Sequence, residues 1–228
     1  MAVRASDRAY EALREDIVEW RLLPGQVLGE VEQSERFGIS RTPIREALSR
    51  LTADGLAEAH RGRGVVVSQI SLDDVRALFE LREALDCRAA RLAARRGDPA
   101  VFTRLAAELD AVVGQLHHGT GADRSGYYEL VDRMDRAIDD ATASPYLTIA
   151  QRSLRVHLAR VRKLSRANPE RLTRAAGEHA QIARAIAEGS EDLAEASTRV
   201  HLANSLHAVL TTPVREWVQP AHRLEAAG

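Results

Sequence analysis

Hydrophobic residues recur at three- and four-residue steps in the first part of the chain, and this spacing predicts amphipathic helices. Three such stretches, each bounded by turn residues, lie at residues 6–21, 30–37 and 41–53. Two short extended segments follow at 57–60 and 65–67, and the Arg61-Gly62-Arg63-Gly64 segment between them allows a tight turn. The three valines of the second segment favour a strand. The first part of the chain is therefore predicted to form three helices and a small β-hairpin.

The rest of the chain shows only helical spacing. A capping pattern, Ser71-Leu72-Asp73-Asp74, opens a long helix, and Pro, Gly or Asn stands between each later helix and the next. The predicted helices lie at residues 72–96, 99–117, 124–142, 145–167, 170–188 and 191–211. Long helices with short connections predict an antiparallel bundle. The expected fold class is mainly α, with one domain at residues 1–70 and an all-helical domain at 71–228.

The predicted helix at 41–53 has one packing face and one free face, because its apolar and polar residues gather on opposite sides of a helical wheel. A short helix, a turn at Gly38 and a second helix with a free polar face, which Ser40 is placed to cap, are typical of a helix-turn-helix. In that motif the second helix enters the major groove of DNA. Arginine suits guanine edges, and Ser or Thr hydroxyls suit phosphates. The predicted DNA-contacting residues of this helix and of the hairpin tip are Ser40, Arg41, Thr42, Arg45, Ser49, Arg61, Gly62 and Arg63.

Composition and charge change this picture only slightly. The chain of 228 residues has a formal net charge of −1, so DNA binding rests on local placement, and a winged-helix module with no DNA partner is the alternative. Hydrophobic residues make up 45% and charged residues 29%, which is typical of a globular chain. No apolar run approaches the roughly 18 residues of a membrane span, so a cytoplasmic location without a membrane partner is expected. The one cysteine, Cys87, excludes an internal disulfide.

The N-terminal part resembles the winged helix of GntR-family bacterial transcription regulators. The residues that carry this resemblance are Pro24-Gly25, the run from Phe37 to Leu48, Leu51, Gly55-Leu56 and Arg61-Gly62-Arg63-Gly64. Gln33 and Ser34 depart from the pattern, because the family usually has Leu and Ala in the helix before the turn. This departure predicts looser packing or a shifted rotation of that helix.

The C-terminal part resembles the all-helical FCD domain of the FadR subgroup. The matching residues are Leu81-Arg82-Glu83-Ala84-Leu85, Leu92-Ala93-Ala94 and positions between Glu178 and Leu202. The resemblance implies a homodimeric, ligand-responsive repressor or activator. It further implies a pseudo-palindromic operator in double-stranded DNA and a small organic acid as effector.

The resemblance also implies a divalent metal centre, zinc or a similar ion, inside the bundle. Many members of the subgroup hold such a metal with one carboxylate and three histidines, and the corresponding residues here are Asp135, His179 and His201. The family's Phe-His pair is Met134-Asp135 in this chain, and the usual acidic position is Val131. The alternative is that the histidines are neutral, hydrogen-bonded residues of a pocket and that Asp135 pairs with an arginine.

Helix geometry gives separate support for a pocket. His179 shares a face with apolar residues, and His201 lies on a stripe of small and polar residues that includes Asn204, which is typical of a cavity lining. Arg82 falls on an apolar face, where it either pairs with Asp86 one turn on or binds the carboxylate of an effector. The predicted effector-binding residues are Arg82, Asp135, His179, His201 and Asn204.

Two other function classes compete with regulation. Two histidines and an aspartate in a bundle suit metal-assisted hydrolysis, but no nucleophile–base pair, phosphate loop or HExxH motif stands out, so the chain is predicted not to be an enzyme. A purely architectural DNA-binding protein is the other class, and it has no use for a polar-lined pocket. The remaining histidines and tyrosines of the bundle are expected to be surface or packing residues: His117, His118, Tyr127, Tyr128 and His157.

Overall fold

The computed structural model describes residues 4–60, 64–117, 124–165 and 169–211. In these ranges the chain is mainly helical with a small antiparallel sheet near its start, which confirms the predicted fold class. In chain order the elements are α1 (Ala5–Val18), β1 (Val27–Leu28), α2 (Glu30–Phe37), α3 (Arg41–Ala53), β2 (Ala57–Ala59), β3 (Val65–Val67), α4 (Leu72–Arg96), α5 (Pro99–His117), α6 (Arg124–Thr142), α7 (Pro145–Ser165), α8 (Pro169–Ala187) and α9 (Glu191–Leu210). None of these described helices combines the length and the apolar character that crossing a membrane requires.

The chain divides into two compact units. The first contains the residues up to Ser71 together with Val156–Leu164 of α7. The second contains Leu72–Arg155 and Ser165–Thr212. Helix α7 therefore contributes residues to both units, and the division does not fall at a single position along the chain.

The first unit has its own apolar core, built where α1 and α3 pack on the sheet. The amphipathic spacing of α1 and α3 places their apolar side chains on facing sides, which excludes water from the space between them. The largest fully buried members of this core are Leu13, Ile17, Leu28, Ile44, Leu51, Leu56 and Val67.

The sheet contains one strand beyond the predicted hairpin. Strand β3 lies between β1 and β2 and is antiparallel to both, with Val66 opposite Val27 in β1 and opposite Glu58 in β2. The β2–β3 hairpin confirms the prediction, and its tip at residues 61–63 lies outside the described residues. Strand β1 has only two residues, which is too short to show an alternating pattern.

Gly64, directly before β3, lies very close to the backbone of β1. Its φ is +122°, a conformation that favours glycine, and a Cβ atom there would lie 2.3 Å from the carbonyl oxygen of Leu28. A side chain at this position would therefore push β1 and β3 apart.

Helix α1 is shorter than predicted. It ends at Val18 rather than at Arg21, because the backbone carbonyl of Asp16 accepts bonds from the N–H groups of both Arg21 and Leu22, at 2.8 and 3.0 Å. Trp20 lies in the resulting turn with a φ of 60°. The apolar residues keep their helical spacing beyond Val18, where the backbone leaves the helix. The predicted end at Arg21 was therefore wrong.

The second unit is the predicted helical bundle. Helix α4 packs against α9, and α5 packs against α8. Small residues at these crossings, many of them alanines, let the helices approach closely. The bounds of α4, α5 and α6 agree with the predicted ranges, since proline, glycine and capping residues mark their ends.

Candidate functional site

Helix α3 presents the face that was predicted to contact DNA. The apolar side chains Ile44, Ala47, Leu48 and Leu51 are buried in the first unit. On the opposite side the predicted contact residues are exposed: Ser40, Arg41, Thr42, Arg45 and Ser49. The division of this helix into a packing face and a free face therefore follows the sequence pattern. DNA contact by the free face stays a prediction, as does contact by Arg61, Gly62 and Arg63, which lie outside the described residues.

The turn before α3 is closed by polar residues. Gly38 ends α2 in the left-handed conformation, with φ 63° and ψ 33°, as a C-terminal glycine should. Ser34 donates a hydrogen bond of 2.5 Å from its hydroxyl to the carbonyl of Ile39, and Gln33 is buried. Of the two polar residues that depart from the family pattern, Ser34 therefore stabilises the turn and Gln33 is buried in α2.

Ser40 occupies the N-cap position of α3, but its hydroxyl makes no capping bond, so the predicted cap was wrong in this respect. The residue is exposed, and water can therefore satisfy the first N–H groups of the helix. These groups are also open to a phosphate, which a helix N-terminus attracts.

Arg45 is held by an acidic residue of α2. Its Nε and Nη2 atoms donate to the two carboxylate oxygens of Glu30 at 3.0 and 2.8 Å, and these bonds raise the pKa of the guanidinium. The Arg45 side chain remains 68% exposed. Water screens an exposed ion pair strongly, so Arg45 can exchange Glu30 for a base or phosphate at small cost.

Arg50, one turn further along α3, has a structural role instead. Its Nη1 atom donates to Asp7 at 2.8 Å, and its guanidinium lies 3.8 Å from the centre of the Tyr10 ring. Tyr10 in turn donates its hydroxyl to Asp54, and burial followed by this bond raises the pKa of Tyr10 to about 12. Arg50 thus joins α3 to α1 rather than facing outward freely.

In the second unit, two histidines from α8 and α9 meet inside the bundle. The ring centres of His179 and His201 lie 4.3 Å apart, and both residues are buried, as their positions on the helix faces predicted. The Tyr127 hydroxyl of α6 and the Nδ1 atom of His179 share a hydrogen bond of 3.0 Å. The pair of imidazoles is therefore tied to a third helix.

A carboxylate lies beside this pair. His201 Nδ1 donates to Glu178 Oε2 at 2.7 Å, and Arg171 Nη2 donates to the same oxygen at 2.9 Å. Asn204 Nδ2 donates to the other oxygen, Oε1, at 2.8 Å. Arg171 also donates to the Ser205 hydroxyl at 2.8 Å. We call these residues together the polar cluster: Tyr127, Arg171, Glu178, His179, His201, Asn204 and Ser205.

Sequence reasoning missed part of this cluster. Tyr127 is buried in the apolar core, in agreement with its expected place as a surface or packing residue, but its bond to His179 was not predicted. Arg171 and Glu178 were not among the predicted site residues. A signal was present, because Arg171 and Glu178 are seven residues apart and so share one face of α8, next to His179. Their partners on α9 could not be identified from spacing within one helix.

Asp135 and Arg82 pair with other side chains of the second unit. Asp135 Oδ2 lies 3.7 Å from Arg155 Nε, and Arg155 also makes a two-pronged contact to Asp139 at 2.6 and 2.8 Å. Arg82 Nε lies 3.0 Å from Asp86 Oδ2 within α4. In both cases the structure shows the pairing that the sequence left open as an alternative. The effector-binding role of Arg82 stays a prediction.

The described residues do not fit the metal centre that the family resemblance implies. Within the described ranges no group of three or more His, Cys, Asp or Glu side chains is placed to hold a metal ion. Asp135 lies with Arg155, and the Nδ1 atoms of His179 and His201 bond to Tyr127 and Glu178. Binding of zinc or a similar ion by Asp135, His179 and His201 therefore gains no support from this geometry.

A separate open cavity of about 700 Å³ lies where α4 ends near α5 and α6. Arginines, acidic residues and apolar side chains line it, and one of these arginines, Arg133, is already paired with Glu108 at 2.5 and 3.0 Å. The residues of the polar cluster do not line this cavity. It is therefore distinct from the site around the histidines.

A winged helix-turn-helix with an exposed second helix, followed by a helical bundle with a buried polar cluster, defines the class of two-domain bacterial DNA-binding regulators. The family model described as "Bacterial regulatory proteins, gntR family" matches residues 5–67, and the FCD domain model matches residues 77–204. The chain belongs to the GntR family of bacterial regulators and carries an FCD domain.

Similar proteins of known sequence are transcription regulators by name. The HTH-type transcriptional repressor RspR of Escherichia coli is 42% identical over 89 residues, which is 39% of this chain and 39% of that protein. The first relatives are thus matched over about two fifths of their length. A regulator in an unstable DNA locus of Streptomyces ambofaciens is 28% identical over 200 residues, covering 85% of this chain and 80% of that protein.

Solved structures support the fold over nearly the whole chain. E. coli McbR/YncC has a TM-score of 0.72 at 17% identity, covering 92% of this chain and 98% of that chain. A GntR regulator from Rhodococcus sp. RHA1 has a TM-score of 0.67 at 20% identity, covering 90% and 97%. Identities this low show a shared fold and no more.

Proposed function

We propose that this protein is a ligand-responsive transcription regulator that binds a pseudo-palindromic operator in double-stranded DNA as a homodimer. A small organic acid bound in the second unit alters its affinity for DNA. The observation that carries this proposal is the exposed polar face of α3, which displays Arg41 and Arg45 while its opposite face is buried. A rigid helix with a free arginine-bearing face suits insertion into the major groove.

The local charges favour a DNA partner over a protein partner. Arg41 is exposed at the helix start, with no ion pair to it among the described residues, and the open N–H groups of the first turn add partial positive charge. Arg45 is exposed and is held by Glu30 through a two-pronged contact, in which its Nε and Nη2 atoms both donate. We propose direct base or phosphate contacts by Arg41 and Arg45, with Ser40, Thr42 and Ser49 bonding to phosphates.

A homodimer suits this task because one winged helix covers too little DNA for high affinity. Two recognition helices related by two-fold symmetry match the two half-sites of a palindromic operator. The helical unit is the proposed platform for dimer formation. RspR is named a repressor, and repression is the sign of regulation that we propose here, in the cytoplasm where the operator lies.

The polar cluster is the proposed place of effector binding, with Asn204, His179 and His201 among the contacting residues. Regulator names among the relatives support a role without enzymatic activity. A metal-dependent hydrolase and a purely architectural DNA-binding protein stay the alternatives to this proposal. Metal analysis of the purified protein by mass spectrometry tests the zinc prediction independently of DNA binding.

The test of DNA recognition is Arg45→Ala. A duplex selected from a random library by the wild-type protein serves as the operator probe, and affinity is measured by fluorescence anisotropy at one fixed salt concentration. Loss of a base or phosphate contact should cost about 1–3 kcal/mol per half-site, so a dimer on two half-sites should lose affinity by roughly thirtyfold or more. Arg104→Ala, an exposed arginine of α5, is the matched control and should bind like wild type.

Equal affinity of the Arg45→Ala and wild-type proteins for the selected duplex would contradict the proposal. Selection of no duplex at all by the wild-type protein would contradict it more broadly. Circular dichroism of each variant establishes that the helical content is unchanged.

A further inference from the structure

We propose that Glu178 is a built-in occupant of a carboxylate-binding site, and that an effector carboxylate binds by displacing it. This inference rests on the proposed function for the word effector, but carboxylate binding itself can be tested without DNA. It names the residues that recognise the acid as Arg171, His201 and Asn204. Arg82, the residue predicted from the sequence for this role, is paired with Asp86.

The geometry around Glu178 is that of a carboxylate receptor. Its Oε2 atom accepts from Arg171 at 2.9 Å and from His201 at 2.7 Å, while its Oε1 atom accepts from Asn204 at 2.8 Å. A cation, an imidazole and an amide thus converge on both oxygens of one carboxylate from two helices. These donors recognise the carboxylate group and make no contact that depends on the rest of the glutamate side chain.

Because Arg171 is buried, it requires a negatively charged group such as the Glu178 carboxylate beside it. The Arg171 side chain is 10% exposed and the His201 side chain 8% exposed, so an arginine charge at this place requires an anion nearby. Glu178 supplies that anion in the structure. A second carboxylate cannot be added beside it without like-charge repulsion in a poorly solvated site, so an incoming acid has to replace Glu178.

Replacement is feasible because the site reaches the surface. Asn204 is an exposed residue, and the Glu178 side chain itself is 15% exposed. The glutamate side chain is flexible and can turn toward solvent while its backbone stays in α8. Exchange of one carboxylate for another keeps Arg171 and His201 hydrogen-bonded throughout, which is why the ligand class is a carboxylic acid rather than a neutral or cationic molecule.

The experiment removes the Glu178 carboxylate by mutation and supplies acetate as a free carboxylate. In Glu178→Ala, sodium acetate should bind at least tenfold more tightly than in the wild-type protein, because no tethered carboxylate competes for the donors. Thermal unfolding of the full chain is titrated with acetate at constant pH and ionic strength, with chloride as the balancing anion. Acetamide, which has the shape of acetate without its charge, should stabilise neither protein.

Two further variants locate the bound acetate. Adding Arg171→Met to Glu178→Ala should abolish the acetate response. Adding Arg104→Ala, in the separate open cavity near α5 and α6, should leave the response unchanged. Glu170→Ala, an exposed glutamate on the same helix, is the matched control for Glu178 and should respond to acetate like wild type. An equal acetate response in Glu178→Ala and wild type, an equal effect of acetamide, or a response that survives Arg171→Met would each overturn the proposal.

If the Glu178→Ala variant does not fold, the acetate titration is carried out with Glu178→Gln instead. The glutamine has the same size but no charge, so it competes less well for Arg171, and acetate should bind more tightly than in the wild-type protein. An unchanged acetate affinity in this variant would also overturn the proposal. Failure here with a normal Arg45→Ala result would leave DNA binding intact and remove only the assignment of the acid site.

Discussion

The recognition face of α3 and the polar cluster of the bundle place their polar side chains in opposite environments. On α3 the arginines are exposed, they come from one continuous helix, and the apolar side chains lie beneath them. In the polar cluster Arg171 is buried and Glu178 is half-buried, and both lie on α8. They meet the buried His201 of α9, and Tyr127 of α6 bonds to the neighbouring His179. The proposed DNA-contacting face and the proposed effector site thus differ in how far their charged side chains are exposed to water.

The two arginine–glutamate pairs show what this difference means energetically. Arg45 and Glu30 are bonded in the presence of water, so either can change partner with little loss. Arg171 and Glu178 are mostly enclosed, and removing one partner leaves a charge that water cannot fully solvate. The first pair can open toward any suitable anion. The second pair is proposed to exchange its carboxylate only for a group of the same charge and shape.

The largest effect should follow from a substitution on the buried apolar face of α3, opposite its proposed DNA-contacting face. Leu51 is fully buried on the packing face of α3, and Leu51→Ala should lower the free energy of unfolding of the first unit by about 2–5 kcal/mol through lost burial and a cavity. Hydrogen exchange followed by mass spectrometry should show faster exchange in α1 and α3, with little change in α5 and α8. Ser49→Ala, on the exposed face of the same helix, should change stability by less than about 0.5 kcal/mol. Equal loss of protection in both units would show that the units are not separate in stability.

A smaller effect should come from Asp16, a buried charge of the first unit. Arg36 and Arg21 donate to its two carboxylate oxygens, the latter at 2.5 Å. Burial of Asp16 opposes its charge, but the bonds from Arg36 and Arg21 outweigh burial and lower the pKa of the carboxyl. Asp16→Asn should cost about 1–2 kcal/mol at pH 7, toward the low end of charged hydrogen bonds because both arginines are partly exposed.

The pH dependence of this effect has a definite sign. A carboxyl whose pKa is lower in the folded state stabilises the fold above its unfolded pKa of about 3.9, and this contribution is lost as the pH falls through the folded pKa. Chemical unfolding of the wild-type and Asp16→Asn proteins should therefore differ at pH 7 and converge in acid. Asp73→Asn, at an exposed position of α4, should show no such difference. A constant gap between wild type and Asp16→Asn down to pH 2 would contradict the assigned pairing.

The contrast between the two regions also explains what the sequence could predict. Helix α3 was predicted with its correct bounds and faces, because its signal lies in thirteen consecutive residues. The partner of His201 is Glu178, on another helix and 23 positions earlier, and no periodicity within α9 reveals it. Periodicity identified His179 and His201 as inward-facing but could not identify the side chains that they meet.

Local backbone details were missed for a different reason. Strand β1 is defined by pairing with β3, and the end of α1 is defined by two bonds to the Asp16 carbonyl. Both depend on hydrogen bonds rather than on side-chain spacing. The Asp135–Arg155 contact likewise depends on how α6 and α7 lie together, so the sequence could offer it only as one of two alternatives.

The smallest predicted effect tests whether the bonds of the polar cluster serve stability or binding. Tyr127→Phe removes only the hydroxyl that meets His179 and keeps the ring in its edge contact with Tyr128, so the second unit should lose about 0.5–1.5 kcal/mol. Tyr146→Phe is the matched control, because that tyrosine is 86% exposed, and it should change nothing measurable. Urea unfolding and hydrogen exchange of α6 and α8 provide the measurement. The Tyr127 hydroxyl bonds to His179, which is not one of the three donors to Glu178, so the acetate affinity of Glu178→Ala should be the same with and without Tyr127→Phe. A loss above about 3 kcal/mol would instead show that this hydroxyl holds the bundle together, and the cluster would then resemble the interior of the first unit rather than contrast with it.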